Sequence, residues 1–204
     1  AFIAREGMAA LQAAISGGQH EFEGGLFYGG RAPTWSNQTL RAVLARHAAA
    51  ARRVAWIDLH TGLGPSGVGE RIWAGGHDDA AIGRARRWWG DQVTTIYDGS
   101  STSALLTGLM WGAIHDAAPQ AEYTGIALEY GTEPIMEVLD ALRGDQWLAQ
   151  HPEAPPELAA SIKARLLKAF YTDTDAWKGQ VVSQARQAMF QAVDGLGADS
   201  ASAP

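Results

Sequence analysis

Segments rich in β-branched and aromatic residues alternate along the chain with segments whose apolar residues recur at helical spacing. The run 53–62 reads Arg-Val-Ala-Trp-Ile-Asp-Leu-His-Thr-Gly and carries one acidic residue, Asp58, within its apolar core. This composition predicts a strand that is covered on both faces in an α/β protein. Because side chains alternate along a strand, Asp58 and His60 are expected to project from the same face at its carboxyl end.

Three more segments have the composition of strands, and the stretches between them predict amphipathic helices. The predicted strands are 71–74, 92–97 and 122–130. The predicted helices are about 1–16, 37–47, 79–89, 103–118, 133–150, 157–171 and 175–193, the third capped by Asp78 or Asp79. This alternation predicts a three-layer α/β/α domain over residues 1–194, with a mostly parallel or mixed sheet. The small, polar tail 195–204 is predicted to be disordered.

The composition narrows the possible partners. A length of 204 residues suits one well-cored domain, and a net charge of −6 argues against nucleic acid or an anionic membrane as the main partner. The absence of cysteine excludes disulfides and thiolate metal sites, so any metal must be held by histidines and carboxylates. No signal peptide is visible, and no apolar run approaches the roughly 20 residues of a membrane span, which predicts a cytoplasmic protein.

Two of the predicted strands turn polar at their carboxyl ends. Asp58 and His60 end the first, and Glu129 stands at the same place in the strand 122–130. Because ligands of open α/β sheets bind just outside the carboxyl ends of the strands, we expect one shared site. His60 is a candidate metal ligand, Asp58 can orient its ring, and Glu129 can act as general base toward a bound water. The alternatives are a histidine bonded to the backbone and a glutamate paired with an arginine at the sheet rim.

The order of several short motifs resembles the zinc carboxypeptidase superfamily, and within it the aspartoacylase and succinylglutamate desuccinylase branch. Asp-Leu-His-Thr-Gly at 58–62 resembles the strand that delivers the last zinc histidine of that superfamily. Ala-Leu-Glu-Tyr-Gly at 127–131 is similar to the segment that holds its catalytic glutamate. The runs 23–31 and 34–37 look like an uncharacterised bacterial group of the superfamily, so the resemblance covers roughly residues 18–132.

The resemblance implies a zinc-dependent hydrolase that cleaves an amide next to a carboxylate, in a peptide or an N-acyl amino acid. By this resemblance, His60 is a zinc ligand and Glu129 is the base that activates the zinc-bound water, while zinc polarises the carbonyl group. An arginine would hold the carboxylate of the substrate, and Arg31 and Arg71 are the candidates.

The chain departs from the superfamily in the residues that complete the site. The superfamily takes its first two zinc ligands from a His-x-x-Glu motif on an early loop and uses an Asn-Arg pair for the substrate carboxylate; this sequence has no Asn-Arg pair. Its one His-x-x-Glu, at His20 and Glu23, lies close before His60 and follows a helix, so it is a weak candidate for the metal ligands. The chain begins with Ala1 at a predicted helix, and we expect it to be the carboxyl-terminal portion of a larger domain.

Two other functions stay open on the sequence. Gly-x-Gly-x-x-Gly at 62–67, with a further glycine at 69, follows a strand as a dinucleotide-binding turn would, which allows a nucleotide- or anion-binding α/β module. The other is a non-catalytic relative that keeps the scaffold as an interaction domain. A partial sheet leaves an unpaired edge, so we expect association through that edge or with a missing upstream segment.

Overall fold

A computed structural model describes residues 2–201 of the chain, in which helices and strands alternate. The helices are α1 (Phe2–Gly17), α2 (Trp35–His47), α3 (Asp79–Trp89), α4 (Gly112–Ala117), α5 (Ile135–Gln150), α6 (Pro156–Phe170) and α7 (Asp175–Ala201). The strands are β1 (Arg53–Ser66), β2 (Gly69–Trp73) and β3 (Glu122–Gly131). The strands form one mixed sheet, so the predicted α/β class is confirmed.

β3 is the central strand of the sheet, with β1 parallel on one side and β2 antiparallel on the other. Ile126 and Leu128 of β3 are almost fully buried. β1 is an edge strand, and its first six residues are half-buried. The prediction that this strand is covered on both faces is therefore wrong. Within the described residues β1 pairs on one side only, which leaves its outer edge and parts of its side chains in contact with solvent.

One face of the sheet packs on α3 and α7. Side chains of β3 that point to this face, including Leu128 and Tyr130, join a core cluster with Trp89 and Ala188. The Trp89 ring is fully buried, and its Nε1–H donates to the carbonyl oxygen of Ala188 at 3.0 Å. This bond satisfies the polar edge of the ring and links α3 to α7 inside the core.

The opposite face is covered by α5 and α6 near the carboxyl ends of β1 and β3. A second, smaller core cluster joins these two helices and includes Val138 and Ala169. Thr132, directly after β3, donates from its Oγ1 to the carbonyl oxygen of Ala169 at 2.6 Å. A Cβ at Gly62 would lie 3.1 Å from the Phe170 ring, so the glycine lets this ring lie close against β1. α5 and α6 thus pack against the sheet beside its polar end.

The segment 61–69, predicted to be a glycine loop, is the far part of β1 and the tight turn into β2. After an irregular stretch β1 resumes its pairing with β3, where Ser66 lies opposite Gly131. The N–H of Gly67 donates to the carbonyl oxygen of Gly131 at 3.0 Å. A side chain at Gly131 would overlap the backbone carbonyl group of Gly64. The two strands therefore approach each other closely at this point.

Gly131→Ala is expected to lower the free energy of unfolding by about 1–3 kcal/mol, the usual cost of overpacking, because the backbone of β1 must move away. The matched control is Gly179→Ala in α7, where no atom lies within 4 Å of the added Cβ. Alanine in that helix should raise the stability by about 0.5–1 kcal/mol. Urea unfolding measures both variants, and equal stability of the two would contradict the close approach at Gly131.

Two segments that the sequence predicts as regular structure are irregular. The segment 92–97 makes a single bridge to β2, at Thr94, because the chain then turns and is held by the side chain of Ser100. The segment 103–118 is helical only in α4, since Gly108 has a φ of 70°, outside the right-handed helical region.

α7 continues through residues 195–201, where the sequence predicts a disordered tail. Gly195 lies against the Trp88 ring and Leu196 packs on the core, and this burial extends the helix. Ala1, at the start of the predicted first helix, and residues 202–204 of the predicted tail lie outside the described residues. Within residues 2–201, no helix combines the length and the apolar character needed to cross a membrane.

Candidate functional site

A row of polar side chains crosses the sheet at the carboxyl ends of β1 and β3. The strand register places His60 of β1 and Glu70 of β2 directly opposite Glu129 of β3, one on each side. Directly paired residues project from the same face of a sheet. The three side chains therefore lie on the face opposite to Leu128 and the main core.

His60 lies between two carboxylates. Its Nε2 is 2.9 Å from Oδ2 of Asp58, the residue two positions earlier on the same face of β1. Its Nδ1 is 3.7 Å from Oε2 of Glu129. The hydrogen bond that His60 donates to Asp58 raises the pKa of His60 above its ordinary value, and the charges of Asp58 and Glu129 add to this rise, while partial burial of the ring opposes it. Asp58 thus fixes the ring and leaves Nδ1 directed toward Glu129.

Glu129 is buried, with 8% of its surface exposed. Its Oε1 accepts a hydrogen bond from the N–H of Leu63 at 3.0 Å, which leaves Oε2 on the side of His60. Burial raises the pKa of Glu129, and the charges of Glu70 and Asp58 add to the rise. The Leu63 hydrogen bond and His60 act in the opposite direction. A carboxyl group with a raised pKa exchanges its proton closer to neutral pH, as general acid–base chemistry requires.

Glu70 completes the row, and the sequence analysis missed it. Its Oε1 accepts from the hydroxyl of Thr94 at 2.5 Å, and its carboxylate also accepts from the N–H and the hydroxyl of Thr102. These donors hold the Glu70 carboxylate beside Glu129. The predicted strand began at residue 71 and left Glu70 in the glycine loop. Because side chains alternate along a strand, a predicted strand that began one residue earlier would have placed Glu70 on the same face of β2 as Ile72.

Asp58→Asn is expected to lower the pKa of His60, because the hydrogen bond and the charge of Asp58 are what raise it. The stabilisation from this pair is fully present below the ordinary histidine pKa of 6.5 and is lost as the pH rises through the folded value. NMR titration of the His60 ring in EDTA measures the shift. The matched control is Asp79→Asn, beside the exposed His77, which should leave the His60 titration unchanged. An unchanged His60 pKa in Asp58→Asn would contradict the pairing.

A cavity of 390 Å³ opens beside Glu129 on the same face of the sheet. Apart from Glu129, its polar lining includes Thr61 of β1 and Thr102, the residue that binds Glu70. The rest is mostly apolar and comes from α1, α5 and the end of α6, including Leu11, Ile15, Met136, Leu139, Leu142 and Phe170. An apolar cavity with a few convergent polar groups is the usual form of a small-molecule site.

The other predicted metal and substrate residues of the early loop have partners of their own. His20 shares a hydrogen bond of 3.0 Å between its Nδ1 and the carbonyl oxygen of Gly30. Glu23 forms an exposed ion pair with Arg31, with 2.6 Å between Oε2 and Nη2. None of these three side chains lines the cavity beside Glu129, so the structure does not bring them to the row that crosses the sheet.

Arg71 follows Glu70 on β2 and points to the opposite face of the sheet. Its Nη1 donates to the carbonyl oxygen of Trp89 at 2.8 Å, and its Nη2 donates to the side chain of Gln187 at 3.3 Å. The guanidinium group therefore joins β2 to α3 and α7. The structure does not place it where it could hold a substrate carboxylate beside Glu129.

The residues in place fit a zinc site in part. The His60 Nδ1, 3.7 Å from the Glu129 carboxylate, is a donor of a type that zinc binds, and the Asp58 carboxylate behind the ring is the usual partner of a ligating histidine. A catalytic zinc normally has three protein ligands. Among the side chains that the structure describes, no group of three histidines or carboxylates is arranged to hold a metal ion. A complete site therefore needs donors from outside the described residues.

The glycine segment does not form a dinucleotide-binding turn. It leads from β1 into β2, whereas such a turn leads from a strand into a helix. Several of its N–H groups are already bonded: Leu63 to Glu129, Gly67 to Gly131, and Gly69 to the Gln184 side chain. These groups are not available to a phosphate. The neighbouring carboxylates Glu129 and Glu70 also disfavour an anion at this position.

Fold and site together define an α/β protein with a histidine–carboxylate cluster beside an apolar cavity. The chain matches the DUF2817 family, described as a protein of unknown function, over residues 1–184, and it belongs to this family. Neither the curated proteins nor the solved structures gave a match to the chain.

Proposed function

We propose that this chain carries the general base and one histidine ligand of a zinc-dependent hydrolase that cleaves amides, of the carboxypeptidase or N-acyl amino acid deacylase type. The observation that supports this most directly is the buried Glu129 beside His60, with Asp58 behind the ring. The motif order around 58–62 and 127–131, which resembles the zinc carboxypeptidase superfamily, supports the same function.

Each side chain of the cluster has a distinct role in this proposal. Asp58 accepts the Nε2–H of His60 and so fixes the tautomer that presents Nδ1 as a ligand atom. The N–H of Leu63 holds Oε1 of Glu129, so Oε2 is the oxygen that takes a proton from the attacking water and returns it to the leaving amine. Zinc, when bound, supplies Lewis-acid polarisation of the carbonyl group and a more acidic water.

The proposal requires donors that residues 2–201 do not supply. β1 is an edge strand, and its outer side has no partner strand among the described residues. Such an edge pairs readily with an added strand. We propose that the remaining ligands come with a segment or a second chain that joins this edge, close to His60.

A hydrolysis assay tests the proposed function. The chain, together with the segment or second chain that supplies the remaining ligands, is incubated with a panel of N-acyl amino acids and short peptides, in an excess of zinc or in EDTA, and the released amine is measured. Release that depends on zinc and is lost in His60→Ala is expected. His47→Ala is the matched control, since this histidine ends α2 away from the cluster, and it should retain the activity. Release that is equal in EDTA, or equal in His60→Ala, would contradict a zinc site at His60.

A further inference from the structure

We propose that the cavity beside Glu129 binds an uncharged aliphatic chain attached to an amide, so that the substrate is an amide with an apolar acyl or alkyl group. The identification of this ligand as a substrate rests on the proposed function, whereas the binding of the aliphatic chain rests on the cavity alone. The cavity takes the apolar side of the amide, so the carboxylate of an N-acyl amino acid would lie outside it.

The size and apolar lining of the cavity suit a flexible apolar chain. Its volume of 390 Å³ lies within the range of small-molecule sites, roughly 300–1,000 Å³. Met136, Leu139 and Leu142 follow one another at three-residue spacing and line it from α5, and Leu11 and Ile15 line it from α1. Three helices and β1 thus surround an apolar space at the end of the sheet.

The charges around the cavity select against an anionic ligand. Of the described residues that line it, Glu129 is the only one with a titratable side chain, and no arginine or lysine is among them. Glu70 and Asp58 stand on either side of this carboxyl group, and their charges already disfavour its ionised form. A ligand carboxylate inside the cavity would add another negative charge, and no arginine or lysine among the described lining residues compensates it.

The polar groups define the orientation of the ligand. Thr102 contributes a hydroxyl group to the lining beside Glu129, at the end of the cavity next to the sheet, while the apolar side chains of α5 extend away from it. An amide is neutral and can exchange hydrogen bonds with hydroxyl and carboxyl groups. The amide therefore lies at Glu129, and its aliphatic chain extends between α1 and α5.

Binding of simple amides tests this inference without any hydrolysis. NMR titrations in EDTA compare acetamide, hexanamide and hexanoate at pH 7.5. Hexanamide should bind roughly 200-fold more tightly than acetamide, because burial of each of its four additional methylenes contributes about 0.8 kcal/mol. Hexanoate should bind at least about tenfold more weakly than hexanamide, because its carboxylate meets the buried Glu129.

Two variants locate the binding in the cavity. Met136→Trp adds volume at a half-exposed lining position and should weaken hexanamide binding at least about tenfold. The matched control is Leu158→Trp, at an equally exposed position on α6 that does not line the cavity, and it should leave hexanamide binding unchanged. Leu142→Ala enlarges the cavity and should shift the preference from hexanamide toward octanamide. Circular dichroism confirms that each variant is folded.

Equal affinity for acetamide and hexanamide, tighter binding of hexanoate, or unchanged binding in both cavity variants would overturn the inference. The zinc-dependent hydrolysis assay tests the proposed function independently of these binding measurements. Binding that follows the expected pattern without any zinc-dependent hydrolysis would leave the cavity as an aliphatic site and remove the proposed function. Zinc-dependent hydrolysis without a binding preference for aliphatic amides would support the proposed function and overturn the assignment of the cavity as an aliphatic site.

Discussion

Glu129→Gln is expected to lower zinc-dependent amide hydrolysis by about 10²–10⁴-fold, the usual contribution of a general acid–base group. Glutamine has nearly the same shape and still offers an oxygen to the N–H of Leu63, so the surroundings are kept. It cannot accept a proton from water at neutral pH. The rate of amine release, measured with zinc in excess, reports the loss.

The fold of this variant should be unimpaired, and its stability should depend less on pH. Burial raises the pKa of Glu129, so the native state disfavours the ionised form. The stability linked to this group is fully present below the ordinary carboxyl pKa of 4.5 and is lost as the pH rises through the folded value. Because glutamine does not titrate, Glu129→Gln lacks this loss of stability with rising pH. Glu137→Gln, at a surface ion pair with Arg165, is the matched control and should keep full activity. Full activity in Glu129→Gln would contradict the role given to Glu129.

Trp89→Ala is expected to lower the free energy of unfolding by about 3–5 kcal/mol, as is usual for removal of a buried tryptophan. The Trp89 ring is fully buried between the sheet, α3 and α7. Its removal leaves a cavity and leaves the carbonyl oxygen of Ala188 without the donor it now has in the Trp89 ring. A loss of this size is a large fraction of the stability of an ordinary domain.

The matched control is Trp35→Ala, because Trp35 begins α2 and is 78% exposed. Its replacement should change the stability by less than about 0.5 kcal/mol, as for other surface substitutions. Urea unfolding at constant pH measures both variants. A difference of less than 1 kcal/mol between them would contradict the position of Trp89 in the core.

The sequence could predict features that depend on neighbouring residues. Alternation along a strand placed Asp58 and His60 on one face, and their side chains lie 2.9 Å apart. The capping side chain of α3 was also predictable, since Asp78 accepts from the N–H groups of Ala80 and Ala81. Such patterns are local, so one sequence is enough to detect them.

Features that depend on long-range pairing could not be predicted in this way. Glu70 comes beside Glu129 only because β2 turns back antiparallel to β3, and nothing in the run 69–73 specifies that partner. The apolar composition of the run 53–62 likewise indicated a strand but not its place at the sheet edge. In the segment 92–97, β-branched residues favoured a strand, yet the chain turns away where the N–H of Thr95 donates to the Ser100 hydroxyl.

Zinc titration of the chain, followed by NMR of its six histidine rings, tests the assignment of His60 as a metal ligand most directly. The His60 ring is expected to respond first, and Asp58→Asn should weaken this response about 10–100-fold, the usual effect of removing the partner of a ligating histidine. A His60 ring that stays unchanged while other histidines respond, or a response that Asp58→Asn does not alter, would contradict the assignment.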